Sequence, residues 1–158
     1  LYPMQTFSKY RLVDFKSIPC FIEASDSKTL ECIQSLALSI SEKVYILSSH
    51  DRKYLHLSAV FACNFVNHCY EIAAEILHQH DIPFEVLQPL IDETARKIHM
   101  LSPRDAQTGP AVRYDKNVIE AQRKLLADSP LWQEIYERMS ASIHHTAITN
   151  KPNHYDKL

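Results

Sequence analysis

Pro19-Cys20-Phe21-Ile22-Glu23-Ala24, the helical pattern behind it and then Val44-Tyr45-Ile46-Leu47 decide the fold of this chain. The first run is short and apolar and holds an aromatic and a β-branched residue, which is strand composition. Ser25 or Asp26 then offers a side-chain oxygen to cap a helix. Behind the cap, Leu30, Ile33, Leu36, Ala37 and Ile40 recur at helical spacing. Lys43 leads into the second strand, and Ser48-Ser49 ends it. A strand, a helix and a strand in succession belong to a parallel sheet, because parallel neighbours need a crossover between them. Two strands alone do not make a stable sheet. The pattern therefore predicts that residues 1–49 are the C-terminal remnant of an α/β domain.

From Asp51 onward the chain reads as helix. Residues 51–79 contain neither glycine nor proline. On a helical wheel Phe61, Ala62, Phe65, Val66, Cys69, Ile72, Ala73, Ile76 and Leu77 gather on one broad side. His56, Asn64, Asn67, His68 and Glu71 share the other, within about a third of a turn. A second helix is expected over 84–101, kinked or restarted at Pro89, which lacks a backbone donor. Residues 102–115 read as loop, punctuated by Pro103, Gly109 and Pro110. Another helix is expected over 116–127. Pro130 opens a last one at a first-turn position, with Leu131, Ile135, Met139 and Ile143 on its buried face. The expected organisation is thus mainly α: the remnant at 1–49, an all-α domain over 50–145 and a polar tail over 146–158.

Composition narrows the function. Glycine occurs once in 158 residues, at Gly109. Loops that wrap a nucleotide phosphate need several glycines, for positive φ and for close approach of backbone N–H groups. Neither a dinucleotide-binding fingerprint nor a P-loop can be written with one. A net charge of −2 supplies no basic field for nucleic acid. No apolar run approaches the roughly 18 residues of a membrane span, and the start does not read as a signal peptide. Cys20, Cys32, Cys63 and Cys69 lack C-x-x-C spacing and sit among apolar neighbours, so they are expected reduced and buried, in a cytoplasmic protein. Cys63 and Cys69 fall roughly 120° apart on a helix, which does not suit a shared metal, and no metal site is expected.

Three stretches could carry chemistry. The polar stripe of the long helix comes first. A solvated face would explain it, but Asn64 and Asn67 are poor helix formers and ask for a reason. A helix lining a cleft supplies one, and His56, two turns before Asn64, is able to exchange protons near neutral pH. The opening Tyr2-Pro3-Met4-Gln5-Thr6-Phe7-Ser8 offers hydrogen-bonding side chains, or is an ordinary connecting loop. In Gln107-Thr108-Gly109-Pro110-Ala111-Val112-Arg113-Tyr114-Asp115 the glycine marks a shaped turn. Arg113 is either a carboxylate ligand or the partner of Asp115 in a surface ion pair. His78-Gln79-His80 ends a helix, where imidazolium suits the dipole. G-x-S-x-G needs two glycines, so no nucleophile elbow exists.

In order, Pro3-Met4-Gln5-Thr6-Phe7-Ser8, Ile22-Glu23, Leu55-His56-Leu57-Ser58-Ala59-Val60-Phe61-Ala62-Cys63-Asn64-Phe65, Leu87-Gln88-Pro89-Leu90-Ile91 and Thr108-Gly109-Pro110-Ala111-Val112-Arg113-Tyr114-Asp115 resemble one family of bacterial proteins. Its members have an N-terminal Rossmann-like NADP-binding domain and a helical C-terminal domain of unknown function. They are similar to pyrroline-carboxylate reductase, prephenate dehydrogenase, ketopantoate reductase and hydroxyacid dehydrogenases. The resemblance runs to about His145. It implies a fold ending in a helical domain like the C-terminal domain of 6-phosphogluconate dehydrogenase, and a glycine-rich cofactor domain outside this chain. It also implies NAD(P)-linked oxidoreduction of a small carbonyl or imine compound, and a homodimer through the helical domain.

By the same resemblance Pro3 and Met4 would approach the nicotinamide, and His56 and Asn64 would be catalytic. Gln5, Thr6, Asn67, Thr108 and Arg113 would contact substrate. Ketopantoate reductase and hydroxyacid dehydrogenases carry a lysine one turn before an asparagine of this helix. Here Val60 precedes Asn64 and Cys63 precedes Asn67, so either His56 takes the acid/base role or the substrate is handled differently. The rival expectation is a non-enzymatic helical dimerisation or interaction module.

Overall fold

Cys20–Ile22 and Val44–Ile46 pair in parallel, Cys20 opposite Val44 and Ile22 opposite Ile46, with the helix Ser27–Ile40 crossing between them. The expected strand–helix–strand unit is therefore present. The structure is a computed structural model, and it describes residues 1–149. The strands are β1 (Tyr2–Pro3), β2 (Cys20–Ile22) and β3 (Val44–Ile46). The helices are α1 (Ser27–Ile40), α2 (Ser49–Ala59), α3 (Val66–His78), α4 (Gln88–Lys97), α5 (Pro110–Arg113), α6 (Lys116–Leu125) and α7 (Pro130–Ile148). Short 3-10 turns cover Phe15–Ser17 and Phe84–Leu87. The chain is mainly helical with one small three-stranded sheet, as its sequence led us to expect.

Contacts divide the chain into two compact units, Leu1–Cys69 and the remainder from Tyr70. In the first, β2 lies centrally, with β3 parallel on one side and β1 antiparallel on the other. The β1 strand is a difference from the sequence reading, which has a loop there. Two residues carry no periodicity, and β1 exists because Tyr2 and Pro3 pair with Phe21 and Cys20. The core of this unit is Ile18, Cys20, Ile22 and Ala37, all at most 1% exposed. Ser41 is buried beside them because it ends α1 where the chain must turn back to the sheet. Its hydroxyl donates to Ile18 O at 2.6 Å and accepts from Lys43 N at 3.0 Å, so its burial leaves no polar group unpaired.

Of the two possible caps for α1, Asp26 is the one used, accepting from Thr29 N at 2.9 Å. The long helix is not continuous α-helix. Val60–Phe65 widens into a π-helical turn between α2 and α3, with Phe61 and Phe65 edge-to-face at 4.9 Å. Its expected apolar side is only half-buried from Ile72 to Leu77, and Phe61 and Phe65 are 62% and 50% exposed.

In the second unit Pro89 restarts rather than kinks a helix, standing in the first turn of α4 after the 3-10 turn. Residues 102–115 hold a short helix, α5, that the loop reading lacks, and α5 packs against α6 and α7. Among the described residues of this unit, Ala111 and Ser140 are buried. Pro130 does open α7, but Ile135 and Ile143 are half-buried while Leu131 and Met139 face outward. Helical spacing locates an apolar stripe without saying how much of it meets a partner. The α7 helix also continues to Ile148, past the expected start of the tail, and residues 150–158 lie outside the described ones. Among the described residues no helix is long and apolar enough to cross a membrane.

The cysteine expectation needs correcting. Cys20 is buried in β2, whereas Cys32, Cys63 and Cys69 are exposed. Apolar neighbours in sequence did not place them inside, because the helix faces that carry them are uncovered.

Candidate active site

Both walls of the candidate site are fixed to β2. On one side Glu23, just past the end of that strand, accepts from Ser49 N at 2.9 Å and from the Ser49 hydroxyl. The Arg52 guanidinium joins them, donating to Ser49 Oγ at 2.9 Å and lying 3.8 Å from the Glu23 carboxylate. Donation from Ser49 holds the Glu23 carboxyl below its ordinary range, with the Arg52 charge adding to it. Ser48 caps the helix by accepting from Asp51 N at 3.1 Å. The first turn of α2 is thus pinned to the sheet, and His56 follows on its last turn.

On the other side Tyr2 sits opposite Phe21 in the β1–β2 ladder, and Met4 N donates to Pro19 O at 2.8 Å. This brings the opening segment against the end of α2. The Tyr2 hydroxyl lies 3.1 Å from His56 Nδ1, hydrogen-bonded to it.

Between these walls lies a cleft of about 290 Å³, lined by Tyr2, Met4, Gln5, Thr6, His56, Ala59, Cys63 and Asn64. Cys63 and Asn64 come from the π-helical turn. A π turn inserts a residue into the helix and swings the side chains around it, and such turns recur at functional sites. The cleft offers an imidazole, two amides and hydroxyls around a partly apolar floor. That set can hydrogen-bond a small polar molecule and exchange a proton with it.

Five of the residues singled out in the sequence therefore meet in one place: Met4, Gln5, Thr6, His56 and Asn64. Others stand apart from that lining. Pro3 is held in the ladder opposite Cys20, and Asn67 lies on the first turn of α3. Thr108 and Arg113 belong to the second unit. There Gly109 has φ 107°, as its isolation suggested, and Arg113 ends α5. The Asp115 carboxylate caps α6 instead of pairing with Arg113, accepting from Val118 N at 3.2 Å. Tyr2, Ala59 and Cys63 are lining residues that the sequence reading missed. Only the strand pairing of β1 reveals Tyr2, whereas Cys63, seven residues after His56, shares its helix face by spacing alone. Among the described residues no group of three or more His, Cys, Asp or Glu is placed to hold a metal ion.

Residues 18–143 match the family model described as a domain of unknown function, DUF2520. The chain belongs to this family. It is similar to the crystal structure of a "putative NADP oxidoreductase" from Bacteroides fragilis, with 56% identity over 91% of this chain and a TM-score of 0.87. A protein of Thermotoga maritima shares the fold at 24% identity, over 84% of this chain, with a TM-score of 0.70. The chain spans 56% and 54% of the length of those two structures. None of the curated proteins compared with it matches.

Proposed function

We propose that this chain is the C-terminal portion of an NAD(P)-dependent oxidoreductase, and that the cleft around His56 is the substrate side of its active site. The observation that carries the reading is the convergence of Met4, Gln5, Thr6, His56 and Asn64 in one cleft. Its likeness to a structure named for NADP oxidoreduction supports the same reading. Gly109 is the chain's one glycine and lies in the second unit, so the cleft has no glycine-rich phosphate cradle of its own. NADP would accordingly be held mainly by a Rossmann-like domain outside this chain, to which residues 1–49 are the last strands, with Pro3 and Met4 nearest the nicotinamide. When bound, NADP supplies or accepts a hydride.

The chain's own residues do the rest. His56 delivers or removes the proton at the oxygen or nitrogen of a small carbonyl or imine compound. The Asn64 amide, with Gln5 and Thr6, orients that group. Asn67 makes a further substrate contact. The exposed Phe61 and Phe65, with Leu57 at 52%, are apolar surface for a second copy of the helical domain, giving a homodimer. The protein works in the cytoplasm.

The test follows NADPH oxidation by the full-length protein against a panel of small 2-oxo acids, aldehydes and cyclic imines. His56→Ala is expected to lower turnover roughly 10²- to 10⁴-fold while NADPH binding persists. Unchanged turnover removes His56 from the reaction. Tight NADPH binding by the 158-residue chain alone would contradict the division of labour.

A further inference from the structure

His56 offers two ring nitrogens, and the structure treats them differently. Nδ1 is engaged by the Tyr2 hydroxyl at 3.1 Å, while Nε2 has no protein partner among the described residues. The two side chains meet across 54 positions of sequence because both answer to the same strand. Tyr2 is fixed opposite Phe21 in the β1–β2 ladder, and α2 is fixed through Glu23, one residue past the end of β2. Neither backbone is free to swing away without breaking those anchors.

We propose that Tyr2 is the positioning residue of His56: it occupies Nδ1, fixes the ring and commits Nε2 to the molecule in the cleft. This rests on the proposed role of His56. A tyrosine hydroxyl suits a ring that must change charge, since it both donates and accepts. It accepts from Nδ1–H of the imidazolium and of one neutral tautomer, and donates to Nδ1 of the other. A carboxylate in its place would only accept, and would favour the charged ring throughout the cycle. The hydroxyl keeps the ring oriented in either protonation state.

Tyr2→Phe removes only the hydroxyl and keeps the aromatic ring. The side-chain resonances of His56 are followed by NMR in the full-length protein, with and without the substitution. The His56 ring is expected to lose its single orientation, read from its χ1 couplings and ring relaxation, while the rings of His50 and His99 are unchanged. The amide resonances of Cys20 and Phe21 report that the β1–β2 ladder is intact. An unchanged His56 ring orientation with an intact ladder overturns the proposal.

A double-mutant cycle in the full-length protein separates this from the reading beneath it. Tyr2→Phe is expected to lower turnover roughly 2- to 12-fold, the worth of one hydrogen bond. In the His56→Ala background the same substitution is expected to do nothing. Equal losses in both backgrounds mean that Tyr2 acts independently of His56, which overturns the proposal. A loosened His56 ring with turnover indifferent to His56→Ala keeps Tyr2 as the partner of the ring and sinks only the catalytic role of His56.

Discussion

Glu23 and Ser49 join the end of β2 to the start of α2 through two hydrogen bonds from one residue, the serine N–H and its hydroxyl. The donors favour the charged carboxylate, so the folded Glu23 titrates below its ordinary 4.5. A group with a depressed folded value contributes stability that is present above its unfolded value and lost as pH falls through the folded one. The thermal midpoint is therefore expected to drop as pH is lowered from about 4.5. Glu23→Gln should lower the midpoint at neutral pH and flatten part of that acid limb. Asp26 and Glu120, held low by Thr29 and by Arg123, act in the same direction. Circular dichroism melts of both proteins across the acid range check this. Parallel curves for the two would show that the Glu23–Ser49 link contributes nothing.

Ser41 gives a stability test free of surface effects. It is 1% exposed, and its hydroxyl serves both Ile18 O and Lys43 N. Ser41→Ala leaves a buried carbonyl and a backbone N–H short of a partner. The expected loss is about 1–3 kcal/mol in denaturant unfolding. Ser41→Cys, of similar volume, should lose less than Ala if packing matters, and the same amount if the hydrogen bonds alone decide. No change on Ser41→Ala would mean that water reaches this corner of the sheet.

Gly109 separates space from backbone strain. A Cβ built there meets no atom within 4 Å, yet the residue holds φ 107° and ψ 177°. Only glycine visits that region readily. Gly109→Ala is expected to cost about 1–3 kcal/mol through the backbone alone, again read from denaturant unfolding. Thr108 and Arg113 flank this turn, so the same substitution tests whether the loop matters to the reaction. A raised KM with kcat retained would assign it to substrate binding, whereas unchanged constants would exclude it.

The strand–helix–strand start was readable because its signals are local: β-branched and aromatic runs, helical spacing and an Asp cap. Pro130 and Gly109 were equally plain, since each residue type forces one backbone geometry. The rest needed three dimensions. A π turn over Val60–Phe65 is a slip in hydrogen bonding that residue types do not announce. β1 exists only through its pairing with β2, so Tyr2 read as part of a loop. The stripe Leu131, Ile135, Met139 and Ile143 was found at the right spacing, but half of it is uncovered. Spacing reports which residues share a side, and burial depends on what packs there.

That distinction makes the cysteines the sharpest probe of the described surface. Cys20 is fully buried between β1 and β3, while Cys32, Cys63 and Cys69 are exposed on helices. Iodoacetamide on the native chain is expected to modify three thiols quickly, and the fourth only after denaturant is added. Peptide mapping should show Cys20 as the protected one, and equal labelling of all four would mean that β2 is not the centre of the sheet. Cys63 adds a reading of the cleft, because it lines the same space as His56 and Asn64. In the full-length protein NADPH with a reducible carbonyl compound should slow its modification and leave Cys32 unaffected. If Cys63 reacts at one rate with and without them, nothing small is bound beside it, and the site must be sought elsewhere.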